Sequence, residues 1–355
     1  MSTSSSGSGP TVATTCSPRC GPARRCSPHS RRSGSRSGGS RGLAESRRRV
    51  SDGSTRSFPA GPVLSDLVVP LLERCTFPTR GAPLACAVSG GADSLALLVL
   101  AVAAGCDVTA YHVDHALRPG SASEAEVVAV AARRLRARFV SMRVACPPGP
   151  NLEARARKAR FAALPPDVAT GHTVDDQAET VLVNLLRGAG VDGLAGMRSG
   201  HRHPILALRR SETVALVSRL GFEVVSDPSN EDPAYQRNRL RHELLPLAAE
   251  IARRDVGPVI ARQAELLADD ADLIEQLAFE IDPTDARALA AAPVALARRA
   301  VRRWLRSFSD DGHPPDAAAV ERVLAVARGS ATACEISGGH RVRRSQGRLV
   351  RSWHG

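Results

Sequence analysis

Residues 84–102 read LACAVSGGADSLALLVLAV, a short apolar run, a glycine-centred turn and a second, longer apolar stretch. That order suits a buried strand feeding a buried helix, and it sets the frame for the rest of the chain. The turn Ser89, Gly90, Gly91, Ala92, Asp93 and Ser94 has the form of an anion cradle. Glycines without Cβ let the backbone turn at positive φ and bring N–H groups close to an anion. The helix that follows adds unpaired N–H groups and the positive end of its dipole. Ser89 and Ser94 can donate hydroxyl hydrogen bonds, and Asp93 can hold a Mg²⁺ that bridges phosphate oxygens.

Three other glycine-loop chemistries compete for this string. A Walker loop needs a lysine after its second glycine, and the only lysine of the chain is Lys158. The dinucleotide fingerprint has a different glycine spacing. A hydrolase nucleophile elbow requires GxSxG, and Ala87, Ser89 and Gly91 give AxSxG, a near miss that keeps a Ser89 hydrolase as an alternative.

From about residue 61 to 210 strands and helices alternate, which predicts an α/β, doubly wound, mainly parallel sheet. Strands are expected at Leu84–Val88, Val108–Val113, Phe139–Val144, Asp167–Gly171 and Pro204–Leu208. Helices are expected at Asp93–Ala104, Ser123–Arg138, Asn151–Leu164, Thr173–Arg187 and Ser211–Leu220. Ligands of such sheets bind at the carboxyl ends of the strands. Residues 226–355 read as a mostly helical domain, with helices over 238–280 and 293–328 broken by Pro258, Pro283 and Pro293. Its end alternates like a β-hairpin around Ser345, Gln346 and Gly347.

Charge is unevenly placed. The formal net charge is +12, yet residues 1–60 hold eleven arginines against only Glu45 and Asp52. Most of the excess therefore sits in one Ser/Arg/Gly-rich tail without apolar periodicity, which is expected to be disordered. Its Arg-rich, acid-poor composition also fits a transit peptide, and a start codon set too far upstream explains it equally well. With no secretory h-region and no membrane-spanning run, the expectation is a soluble, cytoplasmic protein. Eight cysteines are scattered with no CxxC pair, and Cys16, Cys20 and Cys26 make a poor metal knuckle.

Four further strings carry chemistry. HVDHALR ends the second strand with His112, Asp114 and His115, and Arg118 just beyond. NLEARARKARF is a basic helix with Arg155, Arg157, Lys158 and Arg160; a guanidinium aimed at a phosphate needs one of them. GHTVDDQAETVLVNLLRG begins with His172, and Thr173 with Asp176 resembles a capping box. Capping accounts for part of that acidity, but Asp175, Asp176 and Glu179 exceed what it requires. A histidine and carboxylates beside a phosphate loop suit metal binding and general-base work on an amine. DPSNEDPAYQRNRLRHELLP supplies Arg237, Asn238 and Arg241, types that suit contacts with phosphates and base edges.

SGGADS resembles the signature of the N-type ATP pyrophosphatases, the PP-loop family. In order, SGGADS, HVDHALR, NLEARAR, GHTVDDQAET, LLRGAGVDGLAGM and DPSNEDPAYQRNRLRHELLP resemble the tRNA(Ile)-lysidine synthetases across residues 84–246. In HPILALRR the family commonly has Arg where His203 stands here. The resemblance implies a PP-loop ATP-binding domain over 61–225 and a tRNA-binding, substrate domain over 226–355. It implies a ligase that uses ATP, Mg²⁺ and L-lysine to turn the wobble cytidine of CAU-anticodon tRNA(Ile) into lysidine through an adenylated intermediate. Residue by residue, it implies nucleotide binding by Ser89, Gly90, Gly91, Ala92, Asp93 and Ser94, and Mg²⁺ on Asp93 and Asp175. It implies catalysis by Asp93, Arg155, His172 and Asp176. Substrate contacts fall to Asp114, His115, Arg187, Arg237, Asn238 and Arg241. A PP-loop cytidine thiolase is the alternative reaction, disfavoured by the missing CxxC; an inactive tRNA-binding module is the alternative class. A homodimer stays open as an assembly.

Overall fold

The order of strands decides where a ligand can sit. The computed structural model describes residues 62–114, 121–144, 152–226, 232–308, 315–336 and 338–353, which fall in one compact unit, Thr55–Gly355. The calls made on residues 1–60, on His115 and Arg118, on Asn151, and on Asp227 and Asn230 lie outside the described residues, as does the side chain of Arg157. Helix α1 (Pro62–Leu72) leads to β1 (Pro83–Ala87), α2 (Ala92–Ala103), β2 (Asp107–Asp114), α3 (Ser121–Arg134), β3 (Arg138–Arg143) and α4 (Leu152–Ala163).

β1 pairs in parallel with β2, and β2 with β3. On the other edge of β1, the Ala87 N–H donates to the Ala169 carbonyl and the Ala169 N–H to that of Ala85, both at 2.8 Å. The chain thus steps outward from β1 to β3 and then crosses back to the far side of β1. Strand order reverses between β1 and Ala169, so the crevice of this parallel sheet opens at the carboxyl end of β1.

Helix α2 explains its own continuous apolarity. Leu95 through Ala101 are all buried, because α1, α3 and α7 (Arg210–Arg219) as well as β1 and β2 pack around it. A helix covered on every side has no polar face to show. The expected Ser123–Arg138 helix ends earlier, at Arg134: Arg136 takes a left-handed φ of 55° and β3 begins two residues on.

Two predicted strands are corrected. Asp167–Gly171 contributes only the bridge at Ala169; the Thr170 N–H turns away to the Arg202 carbonyl at 2.9 Å. Pro204–Leu208 is a run of turns, with Leu206 N–H bonded to the His203 carbonyl and Leu208 N–H to that of Ile205. Ile205 and Leu208, three apart, are both fully buried, a turn spacing that mimics an apolar strand in sequence.

Beyond the bridge come α5 (Val174–Leu186), α6 (Val191–Leu194), α7, α8 (Gln236–Arg239), a π-helical turn at Leu240–Leu244, α9 (Leu245–Ala252) and α10 (Gly257–Phe279). The break expected at Pro258 falls at Arg253, whose φ is 51°; Pro258 sits in the first turn of α10, where its missing N–H costs nothing. Next follow α11 (Ala286–Ala291), α12 (Val294–Arg306), α13 (Ala317–Arg328), β4 (Ala333–Ile336), β5 (His340–Ser345) and β6 (Arg348–Trp353).

β5 and β6 form the expected hairpin, with positive φ at Gln346 and Gly347 as a tight two-residue turn requires, and β4 adds a third strand. One hydrophobic core gathers residues from Val68 to Val217 around α2; a second gathers Ala286 to Leu349 around α13. Helix α10 packs on α5 and α6 and also on α12. No helix among the described residues is long and apolar enough to cross a membrane.

Candidate active site

The loop leaving β1 is folded onto its own helix. The Ser94 hydroxyl donates to the Gly91 carbonyl at 2.8 Å and accepts from the Ser89 N–H at 3.2 Å; the Ser89 hydroxyl lies 3.3 Å away. Gly90 holds φ +92°, and its carbonyl accepts from the Val225 N–H at 3.0 Å, so the segment after α7 braces the turn. Gly91 caps α2 without a side-chain hydrogen bond to the first N–H groups, the arrangement an anion site requires. Beneath the loop, the buried His112 donates from Nδ1 to the Val88 carbonyl at 3.0 Å.

Across the switch point, α5 starts at the capping box that its sequence promises. The Asp176 carboxylate accepts from the N–H and the hydroxyl of Thr173, both at 2.9 Å. Gly171 is what lets this turn approach the loop. A Cβ there would stand 2.7 Å from the Asp93 carbonyl oxygen and 3.0 Å from the Ser94 Cα, both backbone atoms of α2. Gly171→Ala is therefore expected to destabilise the fold by about 1–3 kcal/mol through overpacking, read as a lowered midpoint in urea unfolding.

Arg210, the first residue of α7, joins the two motifs. Its guanidinium reaches Asp93 Oδ2 at 3.1 Å, Asp176 Oδ1 at 2.8 Å and Glu179 Oε1 at 3.5 Å. The other Asp93 oxygen accepts from the Thr213 hydroxyl. Arg209 pairs with both oxygens of Asp175, at 2.8 and 3.2 Å, and with Asp255; the Arg210 N–H also donates to Asp175. Glu179, only 1% exposed, takes a bidentate pair from Arg241 at 2.7 and 3.1 Å.

These contacts drive two neighbouring carboxyls apart. Burial pushes Asp93 up, and the Thr213 and Arg210 contacts only partly offset it. Burial also works against the Asp176 carboxylate, but Arg210, His172 and the Thr173 hydrogen bonds outweigh it and hold that acid below its ordinary range. Arg210 itself is raised: burial disfavours its charge, and the surrounding acids, Asp176 foremost, more than compensate.

The structure brings Asp93, Asp175, Asp176 and the Ser89–Ser94 loop together, with His172 close enough to act on Asp176. The Thr170 Oγ1 lies 2.6 Å from His172 Nδ1 and 2.9 Å from His203 Nδ1, and the hydroxyl also reaches the Arg202 carbonyl at 3.2 Å. In α4, Arg155 has Nε and Nη2 shielded from solvent with no hydrogen-bond partner among the described residues, which suits a guanidinium awaiting an anion. Asp114, at the end of β2, lies 3.9 Å from Arg143. Arg187 is exposed at the C-cap of α5, eleven residues or roughly 16 Å along the axis from Asp176, and does not join the cluster. Arg237 donates to the Thr180 hydroxyl at 3.0 Å, and the buried Asn238 donates to the Asp232 carbonyl at 2.8 Å. Arg241, read in the sequence as an RNA contact, faces Glu179.

Sequence reasoning missed Arg209, Arg210 and Thr213. The signal was an Arg pair directly before a helix, in the string noted only for His203.

The PP-loop domain family matches residues 70–248, and the TilS substrate binding domain matches residues 285–350. The tRNA(Ile)-lysidine synthase of Nocardia farcinica is 42% identical over 246 residues, covering 64% of this chain and 77% of that protein. The chain belongs to the tRNA(Ile)-lysidine synthase family. The relative from Thermobifida fusca is 38% identical over 295 residues and extends the match to 74% of this chain and 90% of its own length. The relative from Mycobacterium leprae is 41% identical over 238 residues, covering 62% and 73%. This lysidine synthase family member is thus a ligase built on a PP-loop domain, and the Arg210 cluster lies wholly within the part that matches that domain.

Proposed function

We propose that this enzyme modifies the wobble cytidine of CAU-anticodon tRNA(Ile) to lysidine, consuming ATP and L-lysine and releasing AMP and diphosphate. The observation that carries this reading is the tie through Arg210 between the Ser89–Ser94 loop and the His172–Glu179 helix start. It sets an anion cradle beside a histidine and a carboxylate, the parts needed to activate a base and then attack it with an amine.

In the first step the cytosine 2-oxo group attacks the α-phosphorus of ATP, and diphosphate leaves. The N–H groups at the start of α2 and the Ser89 and Ser94 hydroxyls hold the phosphates, and Arg155 offsets charge on the α-phosphate. In the second step the lysine ε-amine attacks the 2-carbon and AMP departs. That amine must first lose a proton, a task for His172 or Asp176.

Mg²⁺ suits the donors present. Among the described residues, Asp93, Asp175, Asp176, Glu179 and Asp255 pair with the guanidiniums of Arg209, Arg210 and Arg241, leaving negative charge on hard oxygen ligands. Asp93 and Asp175 would hold the ion, which would neutralise phosphate charge. Among the described residues no group of three or more His, Cys, Asp or Glu side chains could hold a metal ion by itself.

The tRNA would be gripped by residues 226–355, with Arg237 and Asn238 among its contacts and Asp114 lining the pocket. Incubating the full chain with ATP, labelled L-lysine and tRNA(Ile) is expected to place label in the RNA and release diphosphate one for one. Label that stays out of the RNA while diphosphate forms would overturn the lysine step, and sulfur incorporation would favour the thiolase.

A further inference from the structure

Residues 188–197, GAGVDGLAGM, hold none of the groups assigned to the chemistry, yet they are fastened to α5, the helix that does. Gln177, one residue beyond Asp176 and 3% exposed, donates to the Met197 carbonyl at 3.0 Å and accepts from the Met197 N–H at 2.8 Å. Further along α5, Asn184 donates to the Gly193 carbonyl at 2.7 Å. Gly193 packs so closely that a Cβ there would stand 2.5 Å from that of Ala189. The segment is thus a rigid extension of the active-site helix.

From α6 within this segment, Asp192 pairs with Arg299 of α12. The Arg299 side chain is 13% exposed, and its Nε also lies 3.4 Å from Glu275 of α10. One turn on, Arg303 reaches the same glutamate at 3.3 Å and donates to the Ala278 carbonyl at 3.1 Å. The opposite face of α12, with Ala297, Ala300, Val301 and Leu305, is buried in the second core. Asp192 lies in the part that matches the PP-loop domain and Arg299 in the part that matches the substrate binding domain. Their ion pair therefore runs directly from one to the other.

The apolar packing between the two parts leaves their relation loosely specified. Helix α10 lies against α5, α6 and α12, and its buried residues are Gly257 and the alanines 261, 264, 268, 271 and 278. Short side chains let helices approach but supply few knobs to lock a register. A partly buried charged pair can set one. The Arg198–Asp272 pair is mostly exposed and contributes less. We propose that Asp192 and Arg299 are positioning residues that register the substrate domain against the active site, so that RNA held by residues 285–350 presents its target base beside the 89–94 loop. This rests on the proposed tRNA reading. Losing the pair leaves α5 intact, because the Gln177 and Asn184 contacts do not involve Arg299.

The test compares two RNAs, full-length tRNA(Ile) and its isolated anticodon stem-loop, in the labelled-lysine assay with the full chain. Arg299→Met, which keeps the apolar stem, and Asp192→Asn are each expected to lower kcat on the full tRNA by about 10–100-fold. KM for ATP and turnover of the stem-loop should not change. Arg299→Lys, which keeps a charge opposite Asp192, should restore part of the loss, and the two substitutions combined should cost no more than either alone. Equal losses on both RNAs would assign the pair to support of the site itself and overturn the proposal, as would full activity of both variants. Hydrogen exchange read by mass spectrometry needs no turnover: α12 amides should exchange faster in each variant while those of α5 keep their protection. Unchanged exchange in α12, or faster exchange in α5 as well, also overturns it. If Arg299→Met does not fold, Asp192→Asn carries the comparison, and if the stem-loop is not a substrate, exchange decides alone. An unsubstituted chain that puts no label into RNA refutes the lysine reading and leaves the exchange result to judge the ion pair.

Discussion

Replacing Arg210 with methionine is expected to lower the stability of the fold by about 3–5 kcal/mol at neutral pH, the usual cost of leaving buried charge without its partner. Methionine keeps much of the apolar stem, so lost packing contributes little. What remains is Asp93, Asp176 and Glu179 facing one another around a missing cation, with Glu179 still held by Arg241. Asp176 gives the pH dependence. Its folded-state pKa is depressed, so it contributes stability that is present above its unfolded value and is lost as pH falls through the folded one. Without Arg210 that depression is largely gone, and Asp93, already raised by burial, rises further. Both carboxyls then protonate at higher pH than in the unsubstituted chain. The gap between the two proteins should therefore be widest near about pH 8 and narrow toward about pH 5, measured by urea unfolding across that range. A gap independent of pH would mean that Arg210 acts by packing and not by charge.

Arg210 also marks the limit of what the sequence made legible. The loop, the helix after it and the capping box at Thr173 were readable because each is local: glycines, apolar continuity and a Thr-to-Asp spacing act over a few residues. The parallel sheet followed from alternation, and Ala169 sits where the fourth strand was expected, though with two hydrogen bonds instead of a ladder. Arg210 was hidden because its three partners lie between 31 and 117 residues away, and no local pattern encodes such contacts. Pro204–Leu208 misled for a related reason. Apolar residues three apart can line a turn over a core as readily as a strand. The π-helical turn at Leu240–Leu244 was equally invisible, yet the short stretch RNRLR that enters it carries Arg241 to Glu179. Widened turns of this kind occur often at functional sites.

The second large effect separates chemistry from stability at a single atom pair. Asp93→Ala is expected to lower diphosphate release by more than about 10²-fold, since it removes the carboxylate at the start of α2 on which the nucleotide reading depends most. Stability should move the other way from the Arg210 case. The folded-state pKa of Asp93 is raised, chiefly by burial, so its charged form costs stability as pH rises above the unfolded value. Removing it relieves that cost and leaves Arg210 with Asp176 and Glu179 as partners, while the Thr213 hydroxyl retains the Arg210 carbonyl at 2.8 Å. The urea midpoint at neutral pH should therefore stay level or rise while turnover collapses. Asp93→Asn, which keeps the shape and an acceptor for Thr213 but not the charge, should behave as Asp93→Ala in turnover. Turnover retained by the asparagine variant would assign Asp93 to positioning α2, and a midpoint falling as far as that of the Arg210 variant would assign it to structure.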